Sequence, residues 1–190
     1  MRLLYFLLMT AASAARSNEQ PVVEVFVPLV AGVEMHRAFV RAQGIVNEIY
    51  SAIGVRVVWR STPSASLGCA KQPLSTRIVV ALRGKIPEGL SQETLAFSNP
   101  NSTEGPCVSL LMDRLVPMVH RNPMRTGFLL GHVLAHEIGH VLQGIARHSE
   151  TGLMKDRWSA DEITNMPLHR LRFTSFDLAL ILEGFAARGQ

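Results

Sequence analysis

Leu130-Gly131-His132-Val133-Leu134-Ala135-His136-Glu137-Ile138-Gly139-His140-Val141-Leu142-Gln143-Gly144 carries both the helical period and the chemistry around which the other elements fall into place. Leu130, Leu134, Ile138 and Val141, with Ile145 just beyond, recur at three- and four-residue spacing and mark the apolar face of a helix over about residues 126–143. Gly144 is placed to end that helix and turn the chain back. His136 and His140 stand four residues apart on the opposite face, about 40° from each other around the axis, so both imidazoles reach one point in space. Glu137 lies to one side of them, able to touch a water at that point without binding a metal itself. Two convergent imidazoles with a carboxylate alongside suit zinc-assisted hydrolysis. Gly139 keeps the helix surface low beside them. The plain alternative is a surface helix with two stray histidines, since five residues can match by chance. The amphipathic helix beneath the pattern weighs against it.

Upstream of that helix, Pro21–Val27 is rich in β-branched residues and reads as a first strand. Residues 34–53 read as a helix, with Met35, Ala38, Phe39, Ala42, Val46, Ile49 and Ile53 on one side and Gly54 as its stop. Val55–Trp59, Arg77–Leu82 and Cys107–Met112 read as further strands. Residues 60–76 and 83–104 are rich in Ser, Pro, Gly and Asn and read as loops. Ser159-Ala160-Asp161-Glu162 matches a capping box that starts a short helix, and Thr174-Ser175-Phe176-Asp177 opens a last one with Leu180, Ile181 and Phe185 inward. The order of elements predicts an α+β domain: a mixed sheet backed by helices.

The bulk properties narrow the function. The 190 residues suffice for one domain with a sizeable core, and 47% hydrophobic against 18% charged residues exclude a disordered chain. A net charge of +4 with no basic run reads as a mildly basic solvated surface, so no nucleic-acid partner is expected. At the start, Arg2, the apolar run Leu3–Met9 and Ala12-Ser13-Ala14 form the pattern of a signal peptide over residues 1–14. A buried N-terminal helix is the alternative. The run is shorter than the ~20 residues a membrane helix needs, and no later stretch resembles one, so no stable membrane insertion is expected. The protein is thus expected to be secreted or periplasmic, with residues 15–190 as one catalytic domain. In an exported chain the two cysteines, Cys69 and Cys107, are expected to pair as a disulfide, rather than remain buried thiols. Neither belongs to a CxxC pair, which removes them as zinc ligands. Oligomeric state leaves no trace in the sequence.

Zinc needs a third protein ligand. Four residues past Gly144 comes His148, followed by Ser149-Glu150-Thr151-Gly152-Leu153-Met154. Residues 132–154 resemble the metzincin clan of zinc metallopeptidases, whose members carry HExxHxxGxxH and then a methionine-containing turn beneath the metal. Here the spacing is HExxHxxxGxxxH: the glycine falls one residue late and the histidine two. The resemblance implies zinc held by His136, His140 and His148, Glu137 as general base, and Met154 as the turn methionine. Glu162, at the distance where gluzincins place a glutamate, and Asp156, as in an aspzincin site, stay open as alternatives to His148. His132, one turn before His136, is expected to line the cleft or be exposed. His36, His120 and His169 have no motif around them and default to the surface, though His169 could line the cleft; Trp158 is expected to pack beside the methionine turn.

The resemblance further implies a zinc-dependent endopeptidase with a polypeptide substrate laid along an edge strand, expected at 107–112. It implies an upper part over about 21–144 and a small, largely irregular lower part over about 145–190. A cysteine-switch propeptide is not found. No tyrosine follows Tyr50, so Arg157 or His169 would have to assist at the substrate oxygen. The competing function is a secreted zinc-binding interaction module without peptidase activity. Such a module has no use for Glu137.

Overall fold

The computed structural model describes residues 20–62, 76–85, 87–100 and 105–189. Strand β1 (Val22–Pro28) alternates in burial, with Val23, Val25 and Val27 inward. The chain crosses over through helix α1 (Val33–Ser51) to β2 (Arg56–Thr62), which runs parallel to β1 in the register Val25↔Trp59. A crossover helix of this kind is what joins parallel neighbours. Strand β3 (Arg77–Arg83) pairs with the other side of β1, also parallel. The short β4 (Ala96–Ser98) and β5 (Cys107–Leu111) complete a five-stranded sheet in the order β2-β1-β3-β5-β4, with β4 alone antiparallel. The mixed sheet agrees with the expectation from the order of elements.

Helices α2 (Met112–Arg121), α3 (Pro123–Gln143), α4 (Ala160–Asn165) and α5 (Ser175–Ala187) follow. Asn122 caps α3 by accepting a hydrogen bond from the Arg125 N–H at 2.9 Å, and Pro123 sits in its first turn, where no N–H is needed. At the far end Gly144, at φ 71°, adopts the left-handed conformation and its N–H reaches the His140 carbonyl. Two capping boxes, Ser159 with Glu162 and Thr174 with Asp177, start α4 and α5 where the sequence placed them.

Helices α1 and α3 are packed unusually close. A Cβ on Gly131 would fall 2.6 Å from Ile45 Cβ, and one on Gly127 2.8 Å from Arg41 Cβ. The buried Tyr50 hydroxyl donates to the Ala135 carbonyl at 2.9 Å, one turn further along. Ala38, Ala42, Ile45 and Ile49 of α1 meet Leu130, Leu134 and Ile138 of α3 in the core shared with β1, β3 and β5. Burial of each such leucine or isoleucine stabilises the fold by roughly 1.5–3 kcal/mol before entropy. The solvent side of the sheet carries polar pairs instead: Glu24 of β1 accepts from Arg60 of β2 and Arg77 of β3. Among the described residues no helix is long and apolar enough to cross a membrane.

Several expectations need correction. Cys107–Leu111 is not an edge: every residue of β5 is buried between β3 and β4. Its largely apolar run, in which even Ser109 is buried, is the mark of a strand covered on both faces. Among the described strands the edge on that side is β4, opposite β2, and it lies inside the segment read as a loop at 83–104. Residues 60–62, read as loop, continue β2. Helix α2 was not foreseen, because Pro117 and its polar residues mask a helix that buries only Leu115 and Val119. Ile145 lies past the end of α3 and is 37% exposed, outside the apolar face assigned to it. The signal-peptide reading at 1–14 and Cys69 lie outside the described residues; Cys107 is buried at the start of β5.

Candidate metal centre

The buried face of α3 fixes where His136 and His140 can point, and it points them into a cleft. The Nδ1 of His136 lies 2.9 Å from the Leu153 carbonyl, and that of His140 lies 3.2 Å from the Ile145 carbonyl. A carbonyl can only accept, so each Nδ1 carries the proton and donates it. Burial, joined for His140 by the neighbouring histidines, lowers both pKa values, that of His140 to about 4. Both rings are therefore neutral near pH 7, and each Nε2 presents a bare lone pair.

Those lone pairs converge. His140 Nε2 lies 3.0 Å from His136 Nε2 and 3.3 Å from His148 Nε2, and the three residues form one group able to hold a metal ion. Two unprotonated nitrogens at this distance repel unless a cation lies between them. Nitrogens around a tetrahedral zinc with Zn–N of 2.0–2.1 Å stand about 3.3 Å apart, so the donor set fits zinc in both chemistry and spacing. The altered HExxHxxxGxxxH spacing is absorbed in the exposed residues 145–147, which carry the chain from Gly144 back over the end of α3 to His148. His148 is half-exposed, and its Nδ1 faces Asp156 Oδ1 at 3.6 Å.

The alternatives for a third ligand lie elsewhere. Glu162 accepts from Lys155 Nζ at 2.9 and 2.7 Å and from the Ser159 N–H at 2.7 Å, and these bonds, Lys155 first, hold its pKa below the usual carboxylate value. Asp156 stands behind His148 rather than beside the convergent nitrogens. Neither belongs to the group of donor atoms.

Below the histidines the chain makes a tight turn. Met154 is fully buried, and a Cβ on Gly139 would fall 2.8 Å from its Sδ and 3.1 Å from Phe173 Cε1. The absent side chain of Gly139 is thus space that Met154 occupies. Trp158 packs edge-on against His136 and donates its indole N–H to the Leu153 carbonyl at 3.3 Å, the same carbonyl that receives His136. That is the packing role expected for it.

Glu137 is 9% exposed and faces the cleft beside β4. Burial raises its pKa, against hydrogen bonds from the hydroxyl and backbone N–H of Ser98, the former at 2.7 Å. Ser98, the last residue of β4, was not singled out in the sequence, because its three-residue strand hides in a polar stretch. The cleft measures about 930 Å³. β4 lines it, and Leu129 and Val133 of α3 add apolar surface. Charged Lys155, Asp156 and Arg157 rim the other side, where Arg157 meets Glu93 at 3.8 Å.

His132 is neither exposed nor in the cleft. It is fully buried, donates from Nδ1 to the Phe128 carbonyl at 2.8 Å, and accepts at Nε2 from the Leu171 N–H at 3.3 Å. A neutral ring with both nitrogens engaged ties α3 to residue 171. His36, His120 and His169 are exposed, and His169 does not line the cleft.

No family model and no curated protein matches the chain. Among solved structures it is similar to the crystal structure of archaemetzincin from Methanopyrus kandleri, at 14% sequence identity and a TM-score of 0.49, over 89% of this chain and 98% of that one.

Proposed function

We propose that the chain is a zinc-dependent peptidase of metzincin-like design, with zinc held by His136, His140 and His148 and Glu137 as general base. The observation that carries this reading is the convergence of three Nε2 atoms beside a carboxylate that does not join them, at the foot of a cleft walled by an edge strand. Bound zinc supplies Lewis acidity, which makes a water more acidic and stabilises negative charge on a carbonyl oxygen. The rest falls to the chain. The outer edge of β4, beside which no further strand lies among the described residues, offers backbone groups to an extended peptide, which would add as a further strand. Ser98 fixes the Glu137 carboxylate. Its raised pKa keeps Glu137 a stronger base than a solvated carboxylate, suited to take a proton from the attacking water and return it to the leaving amine. Arg157, which lines the cleft, would meet charge on the substrate.

A zinc-binding module without activity would leave Glu137 unexplained, because a buried carboxylate beside a structural metal only adds cost. The signal-peptide pattern supports export of this enzyme to the periplasm or the medium.

The test is zinc content of the purified protein, wild type beside His148→Ala, together with hydrolysis of a mixed peptide library. One tightly held zinc in the wild type, lost or much weakened in the variant, and cleavage that stops when zinc is chelated, are expected. Equal zinc in both proteins would mean another residue closes the site. Zinc without cleavage would favour the binding module.

A further inference from the structure

Asp177 is a fully buried carboxylate that neither lines the cleft nor meets the metal group. Its Oδ2 accepts from the Thr174 N–H at 2.9 Å and the Thr174 hydroxyl at 2.7 Å, closing the capping box of α5. That alone needs one oxygen. Oδ1 turns the other way, accepts from the Ser149 hydroxyl at 2.5 Å, and faces Arg147 Nη1 at 3.7 Å. Ser149 and Arg147 are the two residues that flank His148. Arg147 also donates to the Ser149 hydroxyl at 3.2 Å and lies over the Phe176 ring, 4.5 Å from its centroid. From Ser149 the backbone N–H donates to the Met154 carbonyl at 2.7 Å, joining the same clamp to the turn beneath the histidines.

We infer that Asp177 is a positioning residue for the metal centre: through Ser149 and Arg147 it holds the backbone on both sides of His148 so that the imidazole meets those of α3. The inference rests on the zinc reading above. His136 and His140 are placed by a helix. His148 follows an exposed run, 145–147, and is half-exposed itself, so it needs an outside anchor. The capping box attaches that anchor to α5, which packs against α3. One carboxylate therefore fixes the distance between the helix that brings two of the imidazoles and the loop that brings the third. Partners behind metal ligands typically change metal affinity by 10–100-fold when removed.

Zinc affinity, read by competition with a chromogenic chelator, tests the inference in Ser149→Ala, Ser149→Thr and Asp177→Asn, each alone and combined with His148→Ala. Ser149→Ala leaves the Thr174–Asp177 box intact and keeps the fold available even if Asp177→Asn does not fold. Ser149→Ala is expected to weaken zinc binding by about tenfold, Ser149→Thr to restore most of it. In the His148→Ala background Ser149→Ala is expected to change nothing further. A general loss of packing would weaken both backgrounds alike, and that outcome overturns the positioning role. Unchanged affinity in Ser149→Ala, where wild type and His148→Ala differ, overturns it too while leaving the zinc reading standing. Absence of zinc binding by the wild type overturns both.

Discussion

Met154 sits where the side chain of residue 139 would be: a Cβ on Gly139 would fall 2.8 Å from Met154 Sδ and 3.3 Å from its Cε. The thioether can shift, but Phe173 Cε1 closes the far side at 3.1 Å. Gly139→Ala gains about 1 kcal/mol of helix propensity and meets an overpacking cost of about 1–3 kcal/mol. A net loss of up to ~2 kcal/mol is expected in urea denaturation, with weaker zinc binding, since Met154 follows the carbonyl that orients His136. In a Met154→Ala background the same substitution should become neutral or stabilising. Additive losses in the double variant would mean that the two positions do not share this space.

Glu137→Gln keeps the shape of the side chain and removes the base. Zinc content should stay at the wild-type level while peptide hydrolysis falls by at least about 100-fold. Ser98→Ala should lower kcat by roughly tenfold to a hundredfold with KM and zinc content little changed, because a hydrogen bond to a charged carboxylate is worth about 1.5–3 kcal/mol. Ser98→Thr should recover most of the rate. A Glu137→Gln variant that turns over normally would remove Glu137 from the chemistry.

Glu24 tests the sheet far from the cleft. Hydrogen bonds from Arg60, and then from Arg77, outweigh desolvation and hold its pKa below 4.5. A carboxylate with a depressed folded-state pKa contributes stability above its unfolded pKa and loses it as pH falls through the folded value. Wild type should therefore exceed Glu24→Gln in thermal unfolding at pH 7, with the gap closing as the pH falls below about 4.5. A gap that persists unchanged at pH 3 would assign the difference to packing instead.

If residues 1–14 direct export, no titratable thiol is expected after unfolding without reductant, since Cys69 and Cys107 would be joined. Reduction should then cost roughly 4 kcal/mol in denaturant unfolding, by the loop-entropy argument. Two reactive thiols in the unreduced mature chain would end the pairing.

The central helix was legible because three signals agree on it: the spacing of Leu130, Leu134, Ile138 and Val141, the paired histidines, and Gly144 at its end. The caps at Ser159 and Thr174 were legible for the same local reason. Strand β4 was not. Three residues carry no periodicity, and Ala96–Ser98 is a strand only because β5 offers it a partner. The edge was misplaced because an apolar run such as Cys107–Leu111 says that a strand is buried, not which strand lies outside it. His132 misled because it shares a stripe with His136. Its neutral, doubly bonded state depends on the Leu171 backbone, 39 residues away. Asp177 read only as a helix start for the same reason: its second oxygen serves a loop 28 residues earlier.

The tight seam between α1 and α3, with Gly127 and Gly131 against α1 and the Tyr50 hydroxyl on the Ala135 carbonyl, has a consequence for engineering. It makes α3 a fixed chassis that cannot slide or rotate to suit a new ligand. Retargeting the cleft therefore belongs to its rim, at the exposed residues 91–93 and 156–157, where Glu93 and Arg157 meet in solvent, and not at Leu95 or Trp158, which pack against the core. A combinatorial library confined to those segments should yield altered selectivity at nearly constant thermal stability, whereas one that enters the α1–α3 seam should yield mostly unfolded clones.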